Sequence, residues 1–73
     1  MNGYLKHFDA RTPGNTKVLL VVHAPGSEGV AINALLDGIQ LSVDLDVDSA
    51  DELARTLADA VEVCRAAAEK ASS

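Results

Sequence analysis

The pair Asp37-Gly38 constrains this chain more than any other feature, because the residues on either side alternate in step with it. Read outward from the pair, Leu36 faces Ile39, Ala34 faces Leu41, Ile32 faces Val43 and Val30 faces Leu45. The intervening positions set Leu35 against Gln40, Asn33 against Ser42 and Ala31 against Asp44. A two-residue Asp-Gly loop suits the type I′ turn, whose twist matches that of the flanking strands. A slip of one residue would exchange the two faces. Turn and pattern agree, so a hairpin is expected, with one apolar face and one mostly polar face.

A competing reading makes Ser27 to Asp37 a short helix inside a β-α-β crossover. That helix would span only about ten residues and start near Gly29, which costs about 1 kcal/mol relative to Ala. The hairpin accounts for more residues and is preferred.

Two further strands are expected upstream, Tyr4 to Ala10 and Lys17 to Ala24. The run Val18-Leu19-Leu20-Val21-Val22 is apolar on both faces and suits the centre of a sheet. Thr12-Pro13-Gly14-Asn15 reads as the turn between them, with Pro presetting φ at the first central position and Gly supplying a positive φ at the second. Pro25 to Gly29 breaks the second strand. The hairpin strands run Val30 to Leu36 and Ile39 to Val47.

Ser49 then opens a helix. It is an N-cap type of residue, and Glu52 three positions on completes a capping box. Leu53, Leu57, Ala60, Val61, Cys64, Ala67, Ala68 and Ala71 recur at three- and four-residue steps and form one apolar stripe. Asp51 and Arg55 stand four apart on the wet side and suit an ion pair. The expected architecture is α+β: a four-stranded antiparallel sheet, ββββα, with the C-terminal helix packed across the face that carries Val30, Ile32, Leu41 and Val43.

Composition sets the limits. Seventy-three residues make a single domain, residues 1–73. A chain of this size buries only roughly 60% of the surface it exposes when unfolded. Tyr4 and Phe8 are the only aromatics, so aliphatic side chains must build the core. Small chains commonly recruit a disulfide, a metal or a partner. Cys64 is the sole cysteine, which excludes an internal disulfide. No apolar run approaches the length of a membrane span or a signal segment, so no membrane association and a cytoplasmic location are expected. The net charge of −5 and six scattered basic residues argue against direct nucleic-acid binding.

No group of residues carries a reaction. Val21 to Gly29 resembles a strand entering a glycine loop, but a phosphate-binding loop requires a following Lys, and Val30 and Ala31 stand there instead. His7 and His23 lie on different strands without ligand spacing, so neither a metal nor a cofactor is expected. Cys64 on the helix stripe behaves as a small hydrophobe. Asp44, Asp46 and Asp48 fail the EF-hand pattern, since the sixth position is Ser49 and the twelfth is Arg55. As strand residues they would form a ladder of carboxylates roughly 6.7 Å apart. Such a ladder serves either as a charged edge that blocks aggregation or as a surface for a basic protein partner.

The expected role is therefore non-catalytic: a small protein–protein interaction module, a homodimer, of an accessory or phage type. The alternative is an acidic nucleic-acid mimic that inhibits a basic DNA- or RNA-binding protein. Self-association is expected on the sheet face away from the helix. A four-residue turn would set Phe8 against Leu19, Lys6 against Val21 and Tyr4 against His23, and so gather Tyr4, Phe8, Leu19 and Val21 there.

Overall fold

Asp37 and Gly38 both adopt positive φ, 48° and 79°, in a computed structural model that describes residues 3–72. Those angles define the type I′ turn. The strands it joins are β3 (Gly29–Leu36) and β4 (Ile39–Asp46). Their register runs from Leu36 opposite Ile39 to Gly29 opposite Asp46, as the alternation requires. The crossover reading is excluded, because Gly29–Leu36 is extended throughout.

Two earlier strands, β1 (Tyr4–Arg11) and β2 (Lys17–Ala24), complete an antiparallel sheet in the order β1-β2-β3-β4. A single helix, α1 (Val47–Ser72), follows. The fold is α+β, as expected.

The first hairpin differs from expectation by one residue. The Asn15 N–H donates to the Thr12 carbonyl at 2.8 Å, and the Thr12 N–H donates to the Thr16 carbonyl at 2.9 Å. The positive φ, 69°, belongs to Asn15 and not to Gly14. This is the three-residue loop in which a turn is followed by one left-handed residue. Asn tolerates that conformation. The extra residue sets Phe8 against Leu20, Lys6 against Val22 and Tyr4 against Ala24. The expected pairs with Leu19, Val21 and His23 are not formed.

Opposed residues of antiparallel strands share a face. One face therefore carries Tyr4, Phe8 and Ala10 of β1, then Val18, Leu20 and Val22 of β2, then the apolar rows of β3 and β4. Lys6 is its only charged member. The other face mixes Leu5, His7, Asp9, Leu19, Val21, Asn33, Ser42 and Asp44.

The helix is capped three residues earlier than its capping box predicts. The Asp46 carboxylate accepts the Ser49 N–H at 2.7 Å, so Asp46 is the N-cap and Ser49 lies inside the first turn. Asp fits poorly in a strand interior and well at a cap, which explains why β4 ends there. The Asp51–Arg55 pair forms at 3.1 Å, and with both side chains exposed it contributes a few tenths of a kcal/mol.

α1 does not lie across the sheet. It meets only β3 and β4, and among its described side chains only Ala50 and Leu53 are partly covered. Its 26 residues run about 39 Å, against about 26 Å for an eight-residue strand. The helix overhangs as an arm. The radius of gyration is 14.9 Å, where a compact chain of this length would show about 11 Å. No helix among the described residues is long and apolar enough to cross a membrane.

Candidate functional site

Among the described residues none is buried. This is the central physical fact about the chain. Its apolar sheet face and its apolar helix stripe both exist, but they do not close on one another.

The sheet face is open over most of its area. Leu41 is 66% exposed, Ile39 60% and Phe8 45%. Only one corner is roofed. There Ile32, Val43 and Leu45 form one wall of an apolar cleft, and Ser49, Leu53 and Thr56 of α1 form the other. The Thr56 hydroxyl donates to the Glu52 carbonyl at 2.8 Å, so its polar group is satisfied within the helix.

Beyond that corner the sheet does not cover the helix stripe, since α1 meets only β3 and β4. Leu57, Ala60, Val61, Cys64 and Ala68 line one shallow apolar strip, and Leu57 is 56% exposed. The small side chains at 60, 64 and 68 let another surface approach the helix axis closely. Cys64, expected to pack as a small hydrophobe, is exposed on this strip.

The self-association residues named from sequence are divided. Tyr4 and Phe8 lie on the face that α1 touches, and Leu19 and Val21 lie on the other. The cause is the extra loop residue at Asn15, which slips the register by one. The larger apolar surface is thus on the helix side, not the side away from it.

The acidic ladder is not formed either. Asp44 is a strand residue facing the mixed side, Asp46 caps the helix and Asp48 sits in the first helical turn. The Asp46 carboxyl is held below its ordinary value of 3.8, first by the Ser49 backbone N–H and then by the Ser49 side chain. Asp48 in the first helical turn is placed well for the helix dipole. Asp46 thus has a local structural task, and the regular strand spacing that suggested a nucleic-acid mimic is absent.

His7 and His23 both fall on the mixed face, opposite Val21 and Leu5 respectively. No group of three metal-ligating side chains occurs among the described residues. Asn33 and Ser42, which pair across β3 and β4, are joined side chain to side chain. Pro25 to Gly29 connects β2 to β3 as an exposed loop up to Glu28.

The capping role of Asp46 and the failure of the sheet to cover the stripe beyond Leu53 were the features that sequence reasoning missed. A signal existed for each. Asp46 stands three residues before Ser49, which is cap spacing. The stripe's length exceeds what an eight-residue sheet can cover. No protein-family model matches the chain, and no curated protein or solved structure is significantly similar to it.

Proposed function

We propose that this protein is a non-catalytic interaction module that works as a homodimer. One observation carries the reading. The chain exposes 5990 Å², whereas a folded monomer of its mass exposes about 4,300 Å². The surplus of about 1,700 Å² per chain is the amount that an obligate partner removes from water, since permanent dimers bury roughly 2,000–5,000 Å² in total. The exposed surface includes large apolar side chains on both the open sheet face, at Ile39, Leu41 and Phe8, and the helix strip, at Leu57 and Val61. A monomer with such surfaces would aggregate or unfold.

Sedimentation equilibrium tests the proposal. A mass of twice the chain, persisting at micromolar concentration, is expected. A folded monomer at that concentration would refute it.

A further inference from the structure

Two apolar surfaces stand open in one chain, the sheet face at Ile39 and Leu41 and the helix at Leu57 and Val61, and each calls for a cover. We infer that the overhanging helix of one copy lies across the open sheet face of the other, reciprocally, about a twofold axis. The inference rests on the homodimer reading above and adds the mode of assembly.

Three observations lead to it. The first is fit. The helix from Leu57 to Ala71 is about 21 Å long, and four strands span about 14 Å between the outer axes. One arm therefore reaches across one sheet. The second is blockage. Sheet-to-sheet stacking on the apolar faces is obstructed, because Leu53 and its turn already stand on each face beside Ile32 and Val43. The third is completeness. Pairing the helices alone would leave Leu41, Ile39 and Phe8 wet. Helix over sheet covers both surfaces with a single symmetry operation, and a twofold contact is the commonest form of oligomer.

Lys6 is the one charge on the covered face, and it sits on β1, an edge strand of the sheet. A Lys there extends its stem along the apolar surface and keeps its ammonium at the rim. Each copy thus supplies the roof of its partner's core, and the cleft at Leu53 becomes the junction between a chain's own helix and its partner's.

The test is an isotope-filtered NMR experiment on a dimer refolded from a mixture of labelled and unlabelled chains, which reports only contacts between copies. Contacts from the Leu57 and Val61 methyls to those of Ile39, Leu41 and Val43 are expected. A dimeric sample whose contacts between copies join only helix to helix, or only sheet to sheet, would overturn this mode while leaving the homodimer intact. A monomeric sample would overturn both. Val61→Asp provides a second readout: the parent dimer should be lost. A Val61→Asp variant that stays dimeric would show that the arm is not in the interface.

Discussion

The two hairpins of the sheet reverse the chain by different means. Between β3 and β4, two residues with positive φ make the tightest possible loop, and the first opposed pair is Leu36 with Ile39. Between β1 and β2, three residues intervene, and the left-handed position falls on Asn15. Each loop is stable. Yet the second is one residue longer than Pro-Gly at the turn centre suggests, and that residue decides which side of the sheet Tyr4 and Phe8 occupy. Loop length is a local matter, but its consequence is global: it moves both aromatics onto the same face as the helix contact.

The sharpest way to break this comparison is to place a charge on each side of β2. Leu20→Asp falls on the apolar face, opposite Phe8 and Ala34. In the proposed dimer it buries an unpaired carboxylate, and association should weaken by about 3 kcal/mol, roughly a hundredfold. Leu19→Asp falls on the mixed face and should leave both fold and mass unchanged. Sedimentation of the two variants side by side decides it. The reverse outcome would restore the shorter loop.

A smaller contrast concerns the glycines of the two turns. Gly38 has φ of 79°, so Gly38→Ala should cost about 1–2 kcal/mol. Gly14 has no positive φ, and a Cβ there would meet only the Thr12 hydroxyl, at 3.8 Å. Gly14→Ala should therefore be neutral or stabilising by up to about 1 kcal/mol. Urea denaturation of both variants measures the difference. Equal destabilisation would mean that Gly14 takes the left-handed position after all.

The smallest effect belongs to the end of β4. Asp46→Ala should lower the thermal midpoint more than Ser49→Ala, because the first removes the carboxylate that accepts the Ser49 N–H and the second keeps both partners of that bond. The carboxyl is depressed in the folded state. Its contribution is thus fully present above the unfolded value of 3.8 and is lost as pH falls through the lower folded value. Asp46→Asn should retain the cap at neutral pH and remove that part of the acid dependence. Thermal scans between neutral and acidic pH, read by circular dichroism, supply the check.

These contrasts show where sequence was informative. The β3–β4 register was legible because Asp-Gly permits few turns and because every neighbouring position agreed with it. The helix stripe was legible from its period. The β1–β2 register was not, because Thr12-Pro13-Gly14-Asn15 is compatible with a left-handed residue at either Gly14 or Asn15, and Val18 to Val22 is apolar on both faces and tolerates either outcome. The cap was missed because Asp44, Asp46 and Asp48 share an alternation that looks like a strand, although strand and helix meet in the middle of it. Gly29 is a quieter case: opposite Asp46, a Cβ at this position would run into the Leu45 carbonyl, a demand of tertiary contact that no local pattern announces.

The join at Asp46 has one more consequence, and it concerns phase. β4 passes into α1 with no connecting loop. The two-residue period of the strand is therefore locked to the 3.6-residue period of the helix. Whichever way Leu45 points, the azimuth of Leu53, Leu57 and Val61 is already determined. A loop would absorb an added or deleted residue; this junction transmits it. One residue inserted there would turn the whole stripe by about 100° about the helix axis and aim it away from the side on which the sheet is apolar. The orientation of a surface some 20 Å distant is thus written into the count of residues between a strand and its cap.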